Sequence, residues 1–134
     1  MSVAALQEAI LQLPQFEPPT SHVFHGGMYL RAMEMPAGSV VVGKVHKRPH
    51  FFILSVGSLA VVDWDVEEVI HAPRMICTEP GAKRALFAIT DCLMFTVHAT
   101  KAKTIKGAEA ALVEPDPSSP FLVGNRLPVK EITK

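Results

Sequence analysis

From residue 22 onward the chain reads as short apolar stretches broken at regular intervals by turn residues. The stretches are HVFHGGMYLRAMEM, VVVGKVHKRPHFFILSV, LAVVDWD, EEVIHAP, RMICTEPG, AKRALFAIT and CLMFTVHAT, and PAGS, GS and Asp91 punctuate them. Segments of this length, bounded by Gly, Pro, Ser and Asp, predict β-strands. Repeated at this spacing, they predict a sandwich or a barrel. No stretch here holds a helical period long enough to cover a parallel sheet, so alternating strand–helix architecture is disfavoured.

The two ends read differently. Leu6, Ile10 and Leu13 fall at helical spacing within residues 3–13, Ser2 is a fitting N-cap, and Pro14 stops the pattern. PQFEPPTS then predicts an extended linker. Beyond the strands, TIKGAEAALVE predicts a short helix and PDPSSP a break. FLVGNRLPV carries apolar residues that a solvated tail does not need. The organisation expected is an N-terminal helical arm and linker over residues 1–20, a β-barrel over 21–105, and a C-terminal helical or extended tail over 106–134.

Composition adds limits. A chain of 134 residues with 49% hydrophobic and 19% charged positions suits one folded domain with a real core. Its 13 basic and 13 acidic residues balance, which argues against nucleic-acid binding and leaves little charge repulsion between copies. Self-association into a homo-oligomer is therefore expected. Cys77 and Cys92 are too few and too far apart for a zinc ribbon and are expected as small core residues in a reducing compartment. The start, MSVAALQEAILQLP, has no basic n-region, and no apolar run is long enough to cross a bilayer. The expectation is a soluble protein without a signal peptide and without membrane partners. No phosphate loop and no GxSxG elbow is present.

Candidate chemistry concentrates in GSVVVGKVHKRPHFFILSVG, residues 38–57. Alternate strand residues share a face. Lys44, His46, Arg48, His50 and Phe52 then point one way, unless Pro49 introduces a bulge. A barrel interior is normally apolar, so inward imidazoles need a partner. A metal is one such partner, because neutral imidazole ligates zinc, iron, nickel and copper. Hydrogen-bonded structural histidines are the alternative. A third ligand would come from another strand, and His98, closing CLMFTVH, is the best placed. His71 stands near Pro73 at a turn, and His22 and His25 flank the Gly26-Gly27 entry to the first long strand.

These residues resemble the cupin superfamily. Its first motif runs glycine, five residues, His-x-His, three or four residues, Glu, six residues, glycine. Here Gly38 is followed by five residues, Lys44-Val45-His46, three residues, His50, and six residues to Gly57. Its second motif has Pro-x-Gly, two residues and His, and here Glu79-Pro80-Gly81, then Ala82-Lys83, then Arg84 occupy that stretch. Lys44 stands for the first histidine, His50 for the glutamate, Arg84 for the second-motif histidine, and Ala88 for its asparagine. The usual four-ligand centre is thus absent as such. The stretch from Gly27 to Thr100 is most similar to small cupins of bacteriophages and prophages, through GMYLR, PAG, GKVHKRPH, HAP, EPGAKR and TVHAT.

The resemblance implies an all-β fold, the cupin double-stranded β-helix or jelly-roll barrel. It also implies a three-histidine site for a divalent transition metal (Zn, Fe, Ni or Mn) formed by His46, His50 and His98. Lys44 and Arg84 stand where ligands usually stand, and two cations there would attract a small anionic ligand, an organic acid or a sugar derivative. Tyr29 and Arg31 share a strand face and would add polar contacts. A solvated rim with a salt bridge to Glu34 or Glu79 is the alternative for the two cations. Two functions stay open. One is a metal-dependent cupin that binds or converts a small molecule in the bacterial host cytoplasm. The other is a non-enzymatic phage structural or assembly protein, in the virion or bound to other phage proteins. A transcription-factor sensor is disfavoured, since no helix-turn-helix segment accompanies the strands.

Overall fold

The computed structural model describes residues 18–63 and 66–114. The expected N-terminal helix and the FLVGNRLPV segment lie outside the described residues. Nine strands and one helix follow in chain order. They are β1 (Thr20–His25), β2 (Met28–Met35), β3 (Val40–Val42), β4 (His50–Val56), β5 (Ser58–Asp63), β6 (Val66–His71), β7 (Arg74–Thr78), β8 (Arg84–Ala88), β9 (Cys92–Ala99) and α1 (Ile105–Leu112). Each predicted apolar stretch supplies a strand, and TIKGAEAALVE supplies α1.

The strands form two antiparallel sheets, one ordered β1-β2-β9-β4-β7 and the other β3-β8-β5-β6. Their inner faces meet over a core of Met33, Met35, Val41, Phe52, Leu54, Leu59, Val61, Ile70, Leu86, Ala88, Cys92 and Met94. Period-2 alternation drives this packing: in β9, Cys92, Met94, Thr96 and His98 are buried while the residues between them are not. Gly26 and Gly27, at φ 58° and 76°, make the two-residue turn that joins β1 to β2. Gly57 sits at φ 96° between β4 and β5. A Cβ there would lie 2.2 Å from the Asp91 carbonyl oxygen, so both space and backbone demand glycine.

Two expectations are corrected. The stretch from Val40 to Val56 is not one strand. β3 pairs with β8 in one sheet and β4 with β7 and β9 in the other, and residues 43–49 cross between them. Pro49 has no N–H to continue a ladder, and it immediately precedes the start of β4. His46 and His50 therefore do not share one strand. Cys92 is buried as expected, but Cys77 is exposed. Cys77 lies opposite Phe51, and both point away from the core.

Backbone groups in the crossing are satisfied from three directions. Gly43 N–H donates to the Arg84 carbonyl at 2.8 Å, and Gly81 N–H donates to the His46 carbonyl at 2.8 Å. Lys47 N–H donates to Leu112 O, and Glu114 N–H donates to Val45 O, both at 2.8 Å. His46 and Val113 form an isolated antiparallel bridge. The segment after α1 thus holds the crossing in place. Thr104 caps α1, accepting from Gly107 N–H, and Ala108 and Leu112 pack against Tyr29. The described helix is neither long nor apolar enough to cross a membrane.

Candidate functional site

The inner face of the five-stranded sheet carries the site in two rows. Phe24 pairs with Tyr29, and Tyr29 with His98. The register Phe51↔Val97 then sets His50 opposite His98, and His50 pairs with Thr78. The next inward row is His22, Arg31, Thr96, Phe52 and Ile76. Two of the three expected histidines are thus neighbours by strand register alone. The third, His46, is delivered by the crossing.

The three rings converge. Ring centroids lie 4.2 Å apart for His46 and His50, 4.5 Å for His50 and His98, and 5.6 Å for His46 and His98. Three imidazoles around a tetrahedral ion have centroids roughly 5 Å apart, given metal–nitrogen distances of about 2.0–2.1 Å. In the present rotamers the His98 ring stacks on both others. Among the described residues no group of three or more His, Cys, Asp or Glu side chains is arranged to hold a metal ion.

Hydrogen bonds divide the roles of the ring nitrogens. His50 Nδ1 donates weakly to the Arg48 carbonyl at 3.4 Å, which leaves Nε2 as the lone-pair nitrogen. His98 Nε2 pairs with Thr96 Oγ1 at 2.9 Å. The His46 ring makes no side-chain hydrogen bond among the described residues. Burial is the first cause that depresses the basicity of all three. His46 is held at about 2, with His50, Arg31, His98 and Arg84 adding repulsion. His50 is held at about 4, where Arg84 and Arg31 also lower it and the Arg48 carbonyl opposes them. His98 is held at about 3, with His50 and Arg31 adding to burial. All three are neutral near pH 7.

A cavity of about 90 Å³ opens beside them. Lys44, His46, His50, Arg31 and Arg84 line it, together with Phe52, Met33, Leu86 and Met94. Arg84 is 16% exposed, donates to Thr78 Oγ1 at 2.7 Å and pairs with Asp63 at 3.6 Å. Its guanidinium lies 5.9 Å from the Phe52 ring centre. Arg84 thus pairs with Asp63, and not with Glu34 or Glu79, the partners considered from the sequence. Tyr29 does not line the cavity. It stands behind His98, stacked at 5.7 Å, and its hydroxyl bonds His22 Nδ1. Val113 and Glu109 form part of the wall, so the segment from α1 onward is built into the site.

Sequence reading missed Thr78, Asp63, Thr96 and the wall from α1. Thr78 and Asp63 lie opposite His50 and Arg84 in strand register, a signal that appears only once the pairing is known.

No protein-family model matches the chain, and no curated protein matches it in sequence. Solved structures do match in shape. A cupin 2 conserved barrel domain protein from Salinispora arenicola is 14% identical with a TM-score of 0.53, over 60% of this chain and 73% of that one. A cupin superfamily protein from Desulfitobacterium hafniense is 6% identical with a TM-score of 0.56, over 69% and 86%. Salicylate 1,2-dioxygenase from Pseudoaminobacter salicylatoxidans, solved as an adduct with gentisate, is 13% identical with a TM-score of 0.59, over 82% and 33%.

Neutral histidines make stability depend on pH. An imidazole depressed below 6.5 binds fewer protons folded than unfolded. Its stabilising contribution is complete above pH 6.5 and is lost as pH falls from there through about 4 and below. Carboxylates are still largely ionised down to about pH 5, so the interval above that reports histidine. The melting temperature of metal-free protein should fall across this interval, and less steeply in His50→Gln. A flat profile, or an unchanged slope in the variant, would contradict the burial of neutral imidazoles. With its two facing antiparallel sheets and these structural neighbours, the chain has the cupin jelly-roll fold.

Proposed function

We propose that the chain binds a divalent transition metal (zinc, iron, nickel or manganese) through His46, His50 and His98, and a small anion beside it on Arg84, Lys44 and Arg31. The observation that carries this reading is the clustering of three neutral imidazoles, two of which, His46 and His50, line one cavity with the cationic side chains Arg31, Lys44 and Arg84. The donor chemistry fits a metal: the rings hold unprotonated nitrogens, His50 has Nε2 free, and the His46 ring has no side-chain hydrogen bond among the described residues. A bound metal would supply Lewis acidity or redox chemistry.

The chain's own residues argue for the anion. Arg31 and Arg84 both bear electrostatically on the histidines, so they face the same space. A dication there would meet fixed positive charge, and an anion offsets it. Thr78, Asp63 and Phe52 hold the Arg84 fork in place for a carboxylate or phosphate oxygen. The cavity is well below the roughly 300–1,000 Å³ of sites for drug-sized ligands, so the anion is small, an organic acid or a sugar derivative. A scaffold protein of phage type, without catalysis, is the second reading, favoured by the apolar side chains of Val23, Phe51 and Met75 exposed on the outer face of the five-stranded sheet.

Protein purified without chelator or affinity-resin metal should contain one transition metal per chain by elemental analysis, and His46→Ala should lose it. Metal-free protein that cannot be reloaded would sink the metal half. Calorimetric titration with acetate, oxalate and phosphate tests the other half. Removing a charge-assisted bond in Arg84→Ala should weaken binding by roughly ten- to a hundredfold. Equal affinity in wild type and variant would refute the anion site.

A further inference from the structure

Tyr29 is the chain's only tyrosine, and the proposed function leaves it unused. It is 3% exposed. The neighbouring strand on either side lays a ring against it. Phe24 comes from β1, with centroids 4.7 Å apart and planes 8° from parallel. His98 comes from β9, at 5.7 Å and 26°. His98 stacks in turn on His46 and His50, so an unbroken run of rings joins the phenol to the three imidazoles. Ala108 and Leu112 of α1 pack against the same ring.

At its other end the run meets a base. The Tyr29 hydroxyl bonds His22 Nδ1, and His22 is half-buried on β1. A buried phenol needs only an acceptor, and a carbonyl would serve. An imidazole nitrogen does more, because it can keep the proton. Burial raises the Tyr29 hydroxyl above its ordinary value, and burial with Arg31 lowers His22, so both groups are uncharged near pH 7. The phenol is the stronger acid of the two and the imidazole the stronger base, so the hydroxyl donates.

We propose that Tyr29 and His22 form a one-electron donor behind the three-histidine site. Tyr29 gives one electron to a one-electron oxidant there, a transition-metal ion in its oxidised state, and passes its phenolic proton to His22 Nδ1. The O–H bond breaks and an N–H bond forms. The products are a neutral phenoxyl radical, an imidazolium and the oxidant reduced by one electron. Without the base, the oxidised phenol would keep its proton as a buried cation near Arg31, which is costly. Transfer moves that charge to a half-exposed ring where Glu109 favours it. The packing of Phe24, Ala108 and Leu112 shields the radical from reductants in solution. The inference rests on the metal reading only for where the oxidant sits.

The donor itself is tested on metal-free, full-length protein, so it stands or falls apart from the metal reading. Azidyl radicals made by pulse radiolysis of azide take one electron each and return to azide. Time-resolved absorbance and freeze-quench electron paramagnetic resonance should show a neutral tyrosyl radical, separable from the radical of Trp64, the single tryptophan. Ring-deuterated tyrosine should narrow the signal, and with one tyrosine in the chain this assigns it to Tyr29. His22→Gln keeps a hydrogen-bond acceptor and removes the base. Tyrosyl formation should slow in it by roughly tenfold or more, with the melting temperature unchanged. A second readout needs no variant: formation in wild type should be slower in heavy water. Absence of a tyrosyl radical in wild type, equal rates in wild type and His22→Gln, or equal rates in light and heavy water would each overturn the assignment.

Discussion

Three imidazoles share the inside of this barrel, and burial keeps each one uncharged. The remaining features of the site follow from meeting that demand. Strand register supplies two of the rings, because His50 and His98 face each other across β4 and β9. No position in either sheet supplies the third. His46 comes from the crossing between β3 and β4, where the chain leaves one sheet for the other. Backbone groups there need partners outside both ladders. The turn at residues 79–82 and the segment after α1 provide them. The C-terminal part of the described chain is therefore structural support for the site. It also contacts the site a second way, since Ala108 and Leu112 pack on Tyr29, which stacks on His98.

Charge sets the chemistry of the cavity. Arg31, Lys44 and Arg84 line the same cavity as His46 and His50. Arg84 is not loose on a rim. Thr78 and Asp63 restrain it, and it lies over the Phe52 ring. Among the described residues Asp63 Oδ1 is buried without a hydrogen-bond partner, and Oδ2 pairs with Arg84. Such a pair orients a guanidinium. The jelly-roll fold shared with solved cupins locates the site inside the barrel but selects no reaction, because one fold hosts many functions.

Much of this was legible in the sequence. Period-2 alternation and turn residues located nearly every strand. The spacing from Gly38 to Gly57 marked a turn glycine whose Cβ would strike Asp91. His98 was traceable because CLMFTVHAT reads as a strand ending inward. What escaped depends on contacts between distant residues. One apolar run, VVVGKVHKRPHFFILSV, carries no local sign that its halves join different sheets, although Pro49 marks where the ladder fails. Asp63 and Thr78 meet Arg84 only through register. Cys77 was expected inside because cysteine is usually buried, yet alternation along RMICT turns it outward with Met75. Tyr29 was expected at the cavity wall, and it faces inward as its strand position implies, but one step further along the row, behind His98.

The central claim is that His46, His50 and His98 stay neutral because the fold buries them together. Long-range proton–nitrogen correlation spectra of the metal-free protein, recorded from neutral pH downward, report the protonation of each ring directly. The account predicts that all three remain neutral until about pH 4 or below as acid is added. The His50 spectrum should show its proton on Nδ1. Titration of these three rings near the ordinary imidazole value of 6.5 would contradict it.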